Sequence, residues 1–297
     1  MEEEINNNKV IMSTSSENLD LFTPVFKHFR RLSDNDCFTQ AYSIKTHPTY
    51  FQHCPLNISI DIDPSLGLQP ISTWSLYLCK FSDGLYFLSN PFTIEGQRQW
   101  INRCINNYPR QTRTSVGDNS DNQNLARLRW ATLGYHYDWT NKIYKLDDHT
   151  KIPDELSQLC QTIAQVISSN TDCPMMHAET VIINYYHLNS TLCAHTDHSE
   201  YDALIKPLLS FSFGNSAIFL IGGQTKNQCQ PSPMLLCSGD IIIMTGSSRL
   251  CFHAIPRILS DPFVNDILYK NIDDNDKVCW SYIHDKRINI NLRQVYT

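Results

Sequence analysis

The sequence predicts a mainly β protein, an antiparallel sandwich or jelly roll with flanking helices. Three observations predict it. From about residue 180, short runs rich in β-branched and aromatic residues follow one another: "TVIINYYH", "TLCAHTD", "LLSFSFG", "SAIFLIGG", "PMLLC", "DIIIMTG", "RLCFHAI" and "RININLRQV". Gly-Asn, Gly-Gly and Ser-Gly-Asp turn signals separate them, the texture of a closely turned antiparallel fold. Upstream, the stretch 153–169 instead carries helical periodicity, with Leu156, Leu159, Ile163, Val166 and Ile167 on one stripe.

Residues 1–20 are acidic and Asn-rich and are expected to be disordered; they have neither the apolar core of a secretory signal nor the basic character of a transit peptide. Residues 21–75 form an N-terminal extension of no assignable structure. In 76–170, "QRQWINRCINNY" reads as a helix and "RTSVGDNSDNQN" (113–124) as a flexible loop. The helix at 153–169 begins at Pro153 with two acids at its positive end. Residues 171–297 hold the β-rich part, interrupted at 259–280 by an expected loop.

At 297 residues, 41% hydrophobic and 18% charged, the chain can bury a sizeable core, and no apolar run reaches the length of a membrane span. Its 11 cysteines are scattered without a CxxC pair, which suits reduced thiols. A net charge of −6 argues against a general nucleic-acid binder. The charge is uneven, however. Arg98, Arg103, Arg110, Arg113, Arg127 and Arg129 face only Asp118 and Asp121 in that segment. Such arginines suit phosphate contacts, although a solvated surface is the commoner explanation of such a cluster.

"LCAHTDHSE" sets His195 and Asp197 two residues apart, so on a strand they share a face. With a distant histidine, for which His253 in "RLCFHAIPR" is the candidate, they would form the two-histidine, one-carboxylate set that holds iron(II) with open positions. Alone, a His-x-Asp pair is weak evidence. In "RININLR" (287–293), Ile288, Ile290 and Leu292 alternate with Arg287, Asn289, Asn291 and Arg293. An isolated edge strand with a solvated polar face would show the same pattern. Beside a metal site, an inward arginine would instead anchor a dicarboxylate. Arg287 and Arg293 lie about 20 Å apart along a strand. One is therefore expected at the far end of the co-substrate and the other beside the metal.

Together these motifs resemble the AlkB family of iron(II)- and 2-oxoglutarate-dependent dioxygenases: His195-x-Asp197, His253, and Arg287-x-Asn289-x-Asn291-x-Arg293. Asn184 and Tyr186 match its Asn-x-Tyr. The segments "RWATLGYHYDW", "KPLLSFSFGNSAIFLIGG", "SGDIIIMTGSSRL" and "HAIPR" place it nearest the branch of the first AlkB homologue of animals.

The resemblance covers roughly 75–297 and implies a double-stranded β-helix (jelly-roll) dioxygenase core over 171–297, with a helical and nucleotide-recognition region over 76–170. It implies Fe(II), 2-oxoglutarate and O2 as cofactors. His195, Asp197 and His253 would be metal ligands, and Asn184, Tyr185, Tyr186, Arg287, Asn289, Asn291 and Arg293 co-substrate residues. Trp130, Tyr135 and Tyr137 would be substrate aromatics, although each could as simply belong to the core. Ser199 stands where bacterial AlkB has an acid near the base. The implied activity is oxidative N-demethylation of nucleic-acid bases. N1-methyladenine of tRNA leads, with 5-methylcytosine of tRNA and methylated DNA behind, by a monomer in the nucleus, cytoplasm or mitochondrion. The alternatives are a dioxygenase acting on proteins such as histones and a non-catalytic RNA-binding protein. No lysine stands out as a lyase nucleophile.

Overall fold

The alternating strand near the C-terminus runs through the middle of the larger of two sheets. The structure is a computed structural model and describes residues 19–117, 122–268 and 277–296. Its strands are β1 (Phe51–Cys54), β2 (Ser75–Cys79), β3 (Leu85–Ser89), β4 (Arg113–Thr114), β5 (Trp130–Asp138), β6 (Ile143–Thr150), β7 (Thr180–His187), β8 (Leu192–His195), β9 (Leu208–Gly214), β10 (Ser216–Ile221), β11 (Ser232–Leu236), β12 (Ile241–Met244), β13 (His253–Leu259) and β14 (Lys286–Arg293). The larger sheet has the order β1-β2-β3-β12-β9-β14-β7-β5-β4, with β6 paired to β5, and the smaller β11-β10-β13-β8. Every pairing is antiparallel.

β14 explains the layering. Ile288, Ile290 and Leu292 are fully buried in a core shared with α3 (Ile94–Asn102), α4 (Asp154–Ser168) and α5 (Lys277–Ile283). Burial of each such side chain contributes about 1.5–3 kcal/mol. The polar residues of β14 face the other way, toward the space between the sheets. That space is packed by a second core including Tyr186, Leu208, Phe219 and Met244. The polar face of β14 is therefore enclosed, and the strand is no solvated edge.

The two sheets are joined at a corner that needs glycine. Gly214 sits at φ +82°, and a Cβ there would meet Lys286 O at 2.8 Å. Beside it, the Asn215 amide donates to the carbonyls of Ile283, His284 and Lys286. The Gly-Asn pair is thus a strand corner tied to the start of β14.

The helix expected at 153–169 is α4, with its whole apolar stripe buried. "QRQWINRCINNY" lies in α3 and the π-helical turn Arg103–Asn107 that follows. Two expectations change. In 113–124, Arg113–Thr114 pairs with β5 and Asn122–Arg127 forms a 3-10 helix, while 118–121 lie outside the described residues. In 259–280, β13 closes at Leu259, Val264–Leu268 is helical, and α5 begins at Lys277; 269–276 lie outside the described residues.

The extension 21–75, left unassigned from sequence, is an outer layer. α1 (Phe22–Arg31) and α2 (Asp34–Gln40) bury Phe22, Phe29 and Cys37 against Ile218, Leu220, Ala254 and Leu259 of the smaller sheet. Asp34 also pairs with Arg257 of β13 at 2.9 Å. The expected disordered segment 1–20 lies outside the described residues except for Leu19 and Asp20. All eleven cysteines are free thiols. No helix among the described residues is long and apolar enough to cross a membrane.

Candidate metal and co-substrate site

β8 and β13 lie side by side in the smaller sheet, with His253 in register with His195. Their rings are 4.3 Å apart. Asp197 follows β8 by two residues and turns its carboxylate between them, with Oδ1 3.7 Å from His195 Nε2 and Oδ2 3.5 Å from His253 Nε2. One ligand atom from each of the three residues falls within 4.8 Å of the others.

The imidazoles are oriented by their own backbone. His195 Nδ1 lies 2.9 Å from Cys193 O, and His253 Nδ1 lies 3.1 Å from Cys251 O. A carbonyl can only accept, so each Nδ1 carries the proton and each Nε2 turns a lone pair toward the centre. Burial and the neighbouring His253 push the His195 imidazolium down to about 4, so this ring is neutral at physiological pH. Burial opposes a charge on Asp197, but Arg293 and the two histidines outweigh it and hold the carboxyl well below the usual range. Two imidazoles, a carboxylate and room for further ligands suit iron(II).

The cluster opens on a cavity of about 800 Å³ also lined by Arg287, Asn184, Tyr186, Asn289 and Asn291. Arg287 is 1% exposed. Its Nη2 donates to Ser212 Oγ at 2.9 Å, while Nε and Nη1 have no hydrogen-bond partner among the described residues. Burial pulls its pKa down to about 10, with Tyr186 and Asp240 supporting the charge, so it is a cation at neutral pH. A buried guanidinium with unused donors is costly unless an anion completes it. The asparagines form a chain in which Asn291 donates to Asn289 Oδ1 at 2.8 Å, and the Asn289 amide is fixed by Ser210 Oγ and Phe211 O.

Arg293 serves differently. It donates to Asp197 Oδ2 at 2.7 Å and to Glu200 Oε1 at 2.9 Å. Arg249 completes this network, donating to Glu200 Oε2 at 3.1 Å and to Asp197 O at 2.8 Å. The sequence reading missed Glu200 and Arg249. Glu200 stands three residues after Asp197, a weak signal; Arg249, in "SSRL", carries none.

The expected substrate aromatics separate. Tyr137 lines the cavity and meets Ser199 Oγ at 3.0 Å. Trp130 sits beside Trp139, 6.1 Å between ring centroids, and Trp139 itself lines the cavity. Tyr135 is absent from the lining and packs edge-on against Tyr296 at 4.9 Å and beside His149. Tyr185 requires a correction. Strand alternation turns it away from Asn184 and Tyr186 into the helix-side core, where its hydroxyl donates to Cys104 O at 2.6 Å.

Of the arginine-rich segment, Arg113 is held by two bonds to Asp148, and Arg103 lies over Trp100 and donates to Ser65 O. Arg127 and Arg129 are exposed.

Residues 84–293 match the family model described as the 2OG-Fe(II) oxygenase superfamily. The mouse protein named nucleic acid dioxygenase ALKBH1 is 35% identical over 81% of this chain and 72% of its own length. The chain belongs to the AlkB family of this superfamily. Another AlkB relative, the tRNA demethylase abh1 of Schizosaccharomyces pombe, is 42% identical over 57% of this chain and 53% of its own. The solved structure of OsALKBH1 shares the fold, with a TM-score of 0.53 at 22% identity over 71% of this chain and 96% of that one. As an AlkB-family oxygenase, the protein is an enzyme that uses iron(II), 2-oxoglutarate and dioxygen.

Proposed function

We propose that the protein removes N-methyl groups from nucleic-acid bases, with tRNA as the favoured substrate, N1-methyladenine as its leading base, and DNA as a further substrate. One observation carries this reading. A single cavity holds the three-ligand cluster, a buried arginine with unused donors, and the rings of Tyr137 and Trp139. That cavity has places for a dicarboxylate and for an aromatic base. The mouse relative, a nucleic acid dioxygenase, and the fission-yeast relative, a tRNA demethylase, support it.

His195, Asp197 and His253 would hold the metal. The chemistry the metal would supply there is reduction of dioxygen, one oxygen atom going to 2-oxoglutarate, which leaves as succinate and carbon dioxide, and the other to the N-methyl carbon, which leaves as formaldehyde. The chain's own residues do the positioning. Arg287 receives the distal carboxylate with its free Nε and Nη1, its other edge held by Ser212. Asn184, Asn289, Asn291 and Tyr186 shape the channel beside it. Arg293 keeps Asp197 ionised and fixes one of its oxygens, so the carboxylate is oriented before anything binds. Apolar walls from Leu208, Phe219, Ile242 and Met244 exclude water. On the substrate side, aromatic faces suit a base taken out of its stack.

The test is mass spectrometry of tRNA and DNA nucleosides after incubation with the enzyme, iron(II), ascorbate and 2-oxoglutarate. Loss of N1-methyladenosine from tRNA, matched by succinate, is expected. Succinate formed with methylated peptides, while methylated nucleosides persist, would replace this reading with a protein-directed one.

A further inference from the structure

Behind Arg287 lies a buried acid that the metal cluster does not use. Asp240 directly precedes β12 and is shut off from solvent. Its Oδ2 accepts from Cys237 N at 2.8 Å and its Oδ1 from Asn90 N at 3.1 Å, so backbone holds both oxygens. Ser212 of β9 ties this acid to the co-substrate site. The Ser212 N–H donates to Asp240 O at 2.9 Å, and Gly239 N donates to Ser212 O at 2.7 Å. The Ser212 hydroxyl in turn accepts from Arg287 Nη2 at 2.9 Å. The guanidinium makes no hydrogen bond to the Asp240 carboxylate, because Nη2 goes to Ser212 and Nε and Nη1 are unused.

The two charges nonetheless act on each other through space. Burial pushes the Asp240 carboxyl up to about 7, while the Cys237 and Asn90 N–H groups and the Arg287 charge pull it down. Asp261, after β13, adds to the rise and is itself bonded to Ser216 Oγ and Phe263 N. Cys237, after β11, is a neutral thiol, pushed up to about 12 by burial and the nearby Asp240, with the exposed Lys45 opposing. β3 and β9 face the carboxyl with Asn90 and Ser212, which do not titrate. Filling the cavity then sets two anions in competition. With Asp240 ionised, Arg287 balances it, and a distal carboxylate at Nε and Nη1 would leave one cation between two buried anions. With Asp240 protonated, that carboxylate and Arg287 form a neutral pair, which a buried site favours.

We propose that co-substrate binding is coupled to Asp240: as the distal carboxylate of 2-oxoglutarate settles on Arg287, Asp240 takes up a proton from solvent. Asp240 is absent from the cavity lining, so it acts through Arg287 as a positioning residue. This coupling rests on Arg287 as the co-substrate anchor and is the same whichever base is oxidised. Linkage makes it reciprocal. A ligand whose binding protonates an acid binds best where that acid is already protonated, so affinity falls as pH rises through the Asp240 value of about 7.

Dissociation constants for 2-oxoglutarate are measured by titration from about pH 6 to about pH 8.5, with saturating manganese(II) and oxygen excluded. Proton uptake is counted by calorimetry in buffers of different ionisation enthalpy. Wild type should bind about threefold to tenfold more weakly at the alkaline end and take up a fraction of a proton near neutrality. Asp240→Asn should bind with little pH dependence and, above about pH 8, more tightly than wild type, since it is neutral throughout. Weaker binding by that variant at every pH would mean a purely structural role and overturn the coupling. 2-Oxopentanoate, the same chain without the distal carboxylate, needs no variant and should bind wild type without proton uptake. No uptake with 2-oxoglutarate, or equal uptake with both acids, would also overturn it. Arg287→Ala tells the two readings apart. An unchanged dissociation constant in that variant removes the anchor and the coupling together, whereas pH-independent binding that still needs Arg287 sinks the coupling alone.

Discussion

Arg249 and Glu200 pair at 3.1 Å with both side chains sealed from solvent, at 1% and 0% exposure. Through Arg293, which touches both Glu200 and Asp197, this pair braces the carboxylate of the candidate metal cluster from behind. Two acids and two arginines balance, so the network tolerates burial that none of its members would tolerate alone. Arg249→Met should destabilise the protein by about 3–5 kcal/mol, because it leaves two buried carboxylates sharing the single charge of Arg293. The double variant Arg249→Met with Glu200→Gln should recover much of that loss. Urea unfolding of the set checks both statements, and equal stability of the single and double variants would show that the pair is uncoupled.

The same network sets a pH dependence. Burial opposes the charge on Glu200, but Arg293 and Arg249 outweigh it and leave its pKa below the usual value of 4.5. A depressed carboxyl favours the folded state above its unfolded pKa, and that contribution is lost as pH falls through the lower folded value. Wild type should therefore lose stability steeply below about pH 4.5, and Glu200→Gln should show a shallower acid limb. Denaturation midpoints at a series of pH values from neutral to 3 read this directly.

Removing a ligand should empty the cluster without unfolding the sheet. His195→Ala and Asp197→Ala should abolish turnover and weaken manganese(II) binding by at least about tenfold, with the far-ultraviolet spectrum unchanged. Wild-type affinity in a metal titration of either variant would remove that residue from the set.

Arg287→Ala should raise the dissociation constant for 2-oxoglutarate by about tenfold to a hundredfold, the worth of a charge-assisted bond in an enclosed site. Arg287→Lys should recover only part, because an ammonium cannot present two parallel donors. Titration of 2-oxoglutarate into the metal-loaded protein distinguishes these cases.

Tyr135→Ala should behave as a packing variant. It leaves a gap against Tyr296 and His149, so it should cost roughly 2–4 kcal/mol of stability. The affinity for methylated nucleosides should stay near wild type, in contrast to Trp139→Ala. Measuring both quantities on both variants is the check.

The sequence made the chemistry more legible than the packing. His195, Asp197, His253 and Arg287 carry functional groups at fixed spacings, and period-two alternation puts the β14 arginines on the face they occupy. Alternation also excludes Tyr185, since it neighbours the inward-facing Asn184 and Tyr186 on one strand; reading that motif as a block obscured it. Arg249 could not be found this way. Its role arises from a fold-dependent approach to Glu200, 49 residues away. Similarly, α1 and α2 hide their purpose in sequence, because the apolar faces they cover belong to strands roughly 180 to 240 residues later. Trp139 lay at the end of a quoted motif, but only the hairpin geometry shows that it, and not Tyr135, reaches the cavity.

The outer helix layer has a practical consequence. The match to the family model begins at residue 84, yet the strand that bears His253 rests its back on Phe22 and Phe29 and is clasped through Arg257 by Asp34. A fragment trimmed to the recognisable oxygenase boundaries would bare Ile218, Leu220, Ala254 and Leu259 as one greasy plane beneath the catalytic strand. Such a fragment should aggregate on expression, and any of it that stayed in solution should hold metal loosely. Residues 19–41 thus belong to the smallest piece of this chain that could be handled as an enzyme.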